Sequence, residues 1–446
     1  HFRKPGIMFK NTPYFMKGEK VYNLLAILMA LVLPFSISAS YVPLTLALFL
    51  MVFNKEKPPK DFLLIIILYL WRFITLVFNR IIPVDIKDIY DKMGYPLFSG
   101  FKGNPKVVIY AFAVSSTSLA ILGFLSKNFG ILNIRLTEYQ CVEKTCEVGF
   151  KKTKKVYISG DFVKIKNISF KFGDKIATDE KPGKGWKRMG EITVNPLYRH
   201  ITHDFVGFYG HKHHTASLFS FSSIMFFCLS LYYSPFFILA FIPSLYALIL
   251  TNSYLYIYFT LLALSFVFFL RLGLIRSFPY VLLSTFPIIF AFYFKSAFSP
   301  KLIWSFSKRT EYWEIGINIW KGDPIFGVGY SQISGYLKPY FEKGIIDNTA
   351  HLHSVYINSL AETGVIGLAL ILIITIYFIL KYAVLYIRTG SIFALILASV
   401  WVVFSLVGIF EVNFDTTALN LCLYFFMGIF EAGLRHPQRL SPHPNG

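Results

Sequence analysis

Long apolar runs separated by short polar connections dominate the chain. They cover Val21–Ile37, Tyr41–Phe53, Phe62–Phe78, Val107–Leu125, Ala216–Tyr233, Pro235–Leu250, Tyr254–Leu270, Pro279–Phe298, Gly364–Tyr382, Ile392–Phe410 and Ala418–Ala432. A helix of roughly 20 apolar residues crosses a hydrocarbon core of about 30 Å. The first two runs, divided only by the Ser-Ile-Ser-Ala-Ser stretch at 36–40, predict a helical hairpin. Two long polar stretches interrupt the pattern. Within 126–214, period-two alternation in Val156-Tyr-Ile-Ser and Phe162-Val-Lys-Ile-Lys-Asn-Ile-Ser-Phe-Lys-Phe predicts a small β-hairpin subdomain. Within 299–356, charge and aromatics mix with Gly-Pro punctuation, and a connection this long is uncommon unless it serves a function.

Lys and Arg in short connections orient the helices, because such loops are retained on the cytoplasmic side. Arg3, Lys4, Lys10, Lys17 and Lys20 precede the first run, and Lys55, Lys57 and Lys60 follow the hairpin. Arg271 and Arg276 punctuate the middle, and Lys381 and Arg388 lie near the end. All fall on one side only if the chain crosses once more between Phe78 and Val107. The stretch 86–103, with Met93-Gly-Tyr-Pro-Leu-Phe-Ser-Gly, predicts a short or broken membrane helix there. The expected fold is an all-α polytopic membrane protein of about 12 transmembrane helices with both termini inside. A large outer loop precedes the last three helices, and a small basic β-containing insert also faces outward. The divisions are 1–125 (first membrane helices), 126–214 (basic insert), 215–298 (central helices), 299–356 (outer loop), 357–434 (last helices) and 435–446 (inner tail).

Composition supports this reading. Of the residues, 55% are hydrophobic and only 15% charged, and the mean hydropathy is +0.55. A soluble domain carries about 25% charged residues, so this chain lacks the polar surface for one. The net charge of +20 speaks first of topology and anionic head groups. Cations scattered over many short loops argue against nucleic acid. Cys228 and Cys422 sit in apolar runs and read as packing residues, whereas Cys141 and Cys146 in the insert leave a local disulfide open. The first apolar run leads straight into a second, which is not the pattern of a cleavable signal.

Candidate chemistry begins at Ala350-His-Leu-His-Ser-Val-Tyr-Ile-Asn-Ser-Leu-Ala-Glu-Thr-Gly-Val-Ile-Gly. His351 and His353 stand at the mouth of a helix that re-enters the membrane. His353 is the better base, since free imidazole titrates near pH 6.5; two interfacial histidines capping a helix would look the same. Gly364 and Gly367 thin the helix for close approach of a neighbour. Upstream, Trp313, Ile317 and Trp320 share a helical face suited to the membrane surface. Arg309 precedes them, and a guanidinium suits a phosphate because it stays charged and donates a forked pair of hydrogen bonds. Asp323-Pro-Ile-Phe-Gly-Val-Gly reads as a turn. Glu411 and Asp415, at the outer end of a late crossing, could orient a histidine or an arginine, or be solvated. Arg72, inside the third run, is costly there unless it is functional, snorkels or pairs with a carbonyl. His200, His203, His211, His213 and His214 invite a metal, but the spacing specifies no site and no cysteine or carboxylate completes one.

His353-Ser354, nine residues, then Gly364-Val-Ile-Gly367 resembles the signature of the O-antigen ligase family. Arg309, Trp313 and Pro324-Ile-Phe-Gly-Val-Gly extend the resemblance over 305–370, and the hydropathy profile follows it more loosely along the whole chain. The resemblance implies a cofactor-free, metal-independent glycosyltransferase of the bacterial inner membrane with a periplasmic site. Its donor would be an undecaprenyl diphosphate-linked glycan and its acceptor a hydroxyl of lipid A–core. His353 would be the base, and Arg309 would hold the diphosphate.

The chain also departs from the family. Where a Ser-Arg pair is expected it has Ser253-Tyr254, and an Arg-x-x-Gly turn becomes Asp204-Phe-Val-Gly. The missing cation is expected from Arg199, His211 or Lys212, with His351 as a further ligand. An O-antigen polymerase or a protein O-oligosaccharyltransferase would share the donor and differ in the acceptor. A transporter of lipid-linked sugars would instead need paired broken helices and a charged path through the bundle.

Overall fold

The computed structural model describes residues 13–53, 57–81, 87–129, 201–209, 212–273, 276, 279, 300–343, 345–346, 351–412 and 417–435, together with strand backbone between 137 and 195. The expected helix at 279–298 lies outside the described residues.

The first helices are α1 (Pro13–Val32), α2 (Ile37–Phe53) and α3 (Phe62–Phe78). The hairpin bends earlier than the serine-rich stretch suggested. Ser36 accepts a hydrogen bond from the Ala39 amide at 3.1 Å and so starts α2, leaving the later serines inside the helix. Along α3 the inward side holds Ile65, Leu68, Arg72 and Thr75, while Leu63, Leu70, Val77 and Phe78 are exposed. A helix apolar on both faces is one whose outer face meets lipid rather than water.

The stretch between α3 and the next long helix folds as α4 (Lys87–Tyr90) and α5 (Gly94–Phe98), separated by a turn at 91–93. Helix α6 (Pro105–Phe129) follows. Short strands come next, and those described between 137 and 205 form three three-stranded antiparallel sheets. Then come α7 (Lys212–Tyr232), α8 (Ile238–Leu250) and α9 (Tyr254–Leu272). Helices α10 (Pro300–Gly322) and α11 (Ile333–Glu342) lead to α12 (Val355–Thr389), α13 (Ile392–Gly408) and α14 (Thr417–Arg435). Among the described helices, Pro105–Ser126, Lys212–Tyr232, Tyr254–Leu272 and Val355–Thr389 are long and apolar enough to cross a membrane, and several shorter apolar helices accompany them. The chain is a multi-pass membrane protein.

Close backbone approach and aromatic packing hold the bundle. A Cβ on Gly94 would stand 2.8 Å from the Phe425 nitrogen, so α5 lies directly on α14. Phe378 stacks on buried Trp401 at 4.9 Å. Cys228 and Cys422 are buried and unbridged, as packing residues should be. Roughly 25 Å along α12 from Gly364, Lys381 pairs with both Asp61 and Glu431. Tyr95 and Tyr382 donate to the same Glu431 carboxylate at 3.0 and 2.8 Å, fastening α3, α5, α12 and α14 together.

Candidate active site

At its other end α12 is broken. Gly364 has φ +69° and ψ −172°, and a Cβ there would come 1.9 Å from the Ile325 carbonyl oxygen. The chain that fills the break is the turn at 323–329. The Val328 and Gly329 amides donate to the Ala361 and Glu362 carbonyls at 3.0 and 2.9 Å, and Val365 donates back to Pro324 at 2.9 Å. Backbone groups that the break would strand are thereby paired. A Cβ on Gly327, at φ +64°, would stand 2.5 Å from the Ala361 carbonyl oxygen, so the two glycine motifs fit one another. Phe326 wedges against Phe78 and Trp71 with ring centroids 3.9 and 5.5 Å away. Tyr330 completes the anchor: its hydroxyl accepts from buried Arg72 at 3.0 Å and its ring lies 4.1 Å below that guanidinium. Gly367 sits instead against Thr363 of its own helix.

This wedge fixes the start of α12, where the histidines lie. Leu352 is fully buried, and its amide donates to Asn358 Oδ1 at 3.2 Å. Ser354 is buried and caps the helix, accepting from the Ile357 amide at 3.4 Å. His353 is held between these two anchors in the left-handed region, φ +51°. A non-glycine residue there costs on the order of 1–3 kcal/mol and persists only where its neighbours enforce it. Its ring lies 5.2 Å from Tyr312 and 4.5 Å from His351, centroid to centroid.

Helix α10 brings the arginine. Its packed face is Tyr312, Ile315 and Gly316, set against Leu352 and Ile357. Trp313, Ile317 and Trp320, expected to share a helical face suited to the membrane surface, are half-buried beside it. One turn earlier Arg309 is buried, and its Nε donates to the Phe410 carbonyl at 2.9 Å. Its Nη2 donates to Glu411 Oε1 at 2.5 Å.

Glu411 is the hub. Its Oε2 lies 3.8 Å from His353 Nδ1, and its Oε1 lies 3.8 Å from His213 Nε2. Burial alone would raise this carboxyl, but His213, His353 and the Arg309 charge beside it together hold it well below the ordinary carboxylate value. It is therefore ionised at neutral pH.

Of the residues singled out from sequence, Arg309, His353 and His351 come together here, and Glu411 orients the first two. Lys212 is buried in the first turn of α7, next to His213. Arg199, His200, His211, Asp415 and Cys146 lie outside the described residues, as do the side chains of Cys141 and His203. His213 has a place in this group that sequence spacing did not reveal. Its Nδ1 pairs with Ser253 Oγ at 2.9 Å, so the imidazole stands beside the Ser253-Tyr254 pair. Among the described residues, no three of His, Cys, Asp and Glu are gathered as a metal's ligands would be.

A buried arginine and two imidazoles gathered on one carboxylate give this multi-pass membrane protein a charged cluster at the end of α13. One stretch, residues 239–372, matches the family model described as O-antigen ligase. It contains Ser253, Arg309, the wedge, His353 and Gly364, whereas His213 and Glu411 lie outside it. No curated protein matches the chain.

Proposed function

We propose that the chain is a metal-independent glycosyltransferase. It moves a glycan from undecaprenyl diphosphate to a hydroxyl of lipid A–core, at the periplasmic face of a bilayer that it crosses about twelve times. The observation that carries this reading is the sharing of Glu411 by Arg309 and His353, at 2.5 and 3.8 Å. A carboxylate beside Nδ1 favours the tautomer with the proton on that nitrogen, which leaves Nε2 to act as a base. In the reaction, Nε2 of His353 takes the acceptor's hydroxyl proton while the acceptor oxygen bonds to the anomeric carbon. The bond from that carbon to the phosphate oxygen breaks, and its electron pair stays with the departing undecaprenyl diphosphate. Arg309 stabilises the charge growing on that oxygen, a task for a cation already in place. Lys212 and His351, with Arg199 and His211, supply further ligands for the diphosphate. The basic insert at 126–214 faces the same side.

The test is in vitro transfer by the purified chain from a defined undecaprenyl diphosphate glycan. Lipid A–core, a second carrier-linked glycan and a peptide are offered separately. Product on lipid A–core alone is expected. Product only on another acceptor would reassign the protein as a polymerase or a protein glycosylator. Movement of the donor across a bilayer without transfer would make it a transporter. Transfer is expected to survive EDTA, and a loss restored by Mg²⁺ would refute metal independence.

A further inference from the structure

The reaction above leaves one imidazole of this cluster without a task. His213 stands opposite His353 across Glu411, at the same 3.8 Å, on the oxygen that Arg309 also contacts. Its side chain keeps 26% of its surface exposed against 11% for Arg309, so it is the more accessible of the two. Below the ring lies fully buried Tyr256, with centroids 6.3 Å apart, so the imidazole has a floor and a fixed tilt.

The surroundings favour a charged ring. Ser253 Oγ at Nδ1 and the Glu411 carboxylate near Nε2 are both groups that accept protons from N–H donors. The hydroxyl can accept from Nδ1–H or donate to Nδ1, so the contacts admit the doubly protonated ring, and the Glu411 carboxylate beside Nε2 is what favours the charge. His353 differs, because its carboxylate partner lies on Nδ1 alone among the contacts described. Charge balance points the same way. Glu411 neutralises Arg309, so the pair offers an incoming diphosphate little net attraction. Lys212 and His214 flank His213 on its own helix, Glu411 and Tyr256 face it from neighbouring segments, and Arg309 and His353 stand beyond the carboxylate.

We propose that His213 is a further ligand of the donor diphosphate, a protonated imidazole that joins Arg309 at the leaving group and has Ser253 as its anchor. The proposal rests on the transferase reading above and gives the two histidines separate duties: His353 takes the acceptor's proton, and His213 binds the donor. It also implies that donor affinity is linked to a proton, falling as the imidazole discharges.

The experiment measures binding of undecaprenyl diphosphate, without a sugar, to the full chain in nanodiscs, and measures transfer kinetics alongside. Wild-type affinity is expected to fall between about pH 5.5 and 8, the range in which an imidazole loses its proton. His213→Gln keeps the approximate shape without the titration. It is expected to weaken binding about tenfold or more at the acidic end and to flatten the pH dependence. The donor KM should rise accordingly, with kcat at saturating donor little changed. His213→Arg keeps a cation and is expected to bind with a shallower pH dependence than wild type, which also covers the case in which the glutamine variant fails to fold. Wild-type affinity and pH dependence in both variants would overturn the proposal, as would a loss of kcat with unchanged binding, which would make His213 a base. A wild-type chain that neither binds the carrier nor transfers from it would overturn the transferase reading as well. Intact transfer with His213 variants that bind normally would overturn this proposal alone.

Discussion

Glu411→Gln removes one charge from the centre of the site while keeping its shape. In the wild-type protein the carboxylate meets Arg309 Nη2 at 2.5 Å, and the two side chains are only 10% and 11% exposed. Solvent screens such a pair weakly. A hydrogen bond to a charged partner contributes about 1.5–3 kcal/mol, and a buried charge stripped of its partner costs about 3–5 kcal/mol. Glutamine still offers a carbonyl oxygen to the guanidinium, so the lower range applies, roughly 1.5–3 kcal/mol of stability. If the same loss is felt in the transition state, turnover falls about 10- to 100-fold, at 1.4 kcal/mol per decade. The amide also presents a donor to His353 Nδ1, which works against the productive tautomer and adds to the loss. The pH dependence has a definite sign. Because the Glu411 carboxyl is held well below its ordinary value of 4.5, its contribution is fully present above that value and is lost as pH falls through the lowered one. The carboxylate's own share of the stability gap should therefore persist from about pH 5 to 8 and be lost only in stronger acid, with the imidazoles beside it adding their own dependence inside that range. Initial transfer rates and melting of the purified proteins across that range provide the assay. A variant with turnover within about twofold of wild type and unchanged melting would refute the role of Glu411 as the hub.

Gly364→Ala places a Cβ 1.9 Å from the Ile325 oxygen in a backbone region almost reserved for glycine. A stability loss of about 3 kcal/mol or more and a matching loss of transfer are expected, read by melting in detergent. Lys381→Met leaves Asp61 and Glu431 without their shared cation, at 24% and 9% side-chain exposure. Melting should fall by the equivalent of about 1–3 kcal/mol, with turnover of the surviving protein preserved, because the cluster is far along α12 from the histidines. A membrane-impermeant thiol reagent applied to intact cells should label His351→Cys in a background with Cys141 and Cys146 replaced by serine. Labelling only after the cells are opened would put the site on the wrong side.

The helices were legible because lipid-facing and core-facing surfaces are both apolar, so each crossing is a nearly unbroken run. Phe62–Phe78 appears in the structure with the bounds its sequence predicts, and Tyr254–Leu270 extends by two residues. Helix α12 begins nine residues before its apolar run, since its first turns are polar and are held by the Ser354 cap and by the wedge. The same stretch explains what sequence could not tell. Glycines at 327 and 364 announced a turn and a thinned helix separately, but their mutual fit is a contact between segments far apart in the chain. Arg309, His353 and Glu411 were each recognisable by residue type and position. His213 was hidden in a run of histidines, where only Ser253, forty residues on, reveals which ring faces the carboxylate.

The most direct measurement of the central chemistry is product formation by the purified chain supplied with a glycan on undecaprenyl diphosphate and with lipid A–core, comparing wild type with a folded His353→Ala variant. Wild type should release the carrier diphosphate and extend the acceptor, while the variant binds the donor and forms no product. Extension of the acceptor at the wild-type rate by the variant would contradict the assignment of an imidazole base at this carboxylate.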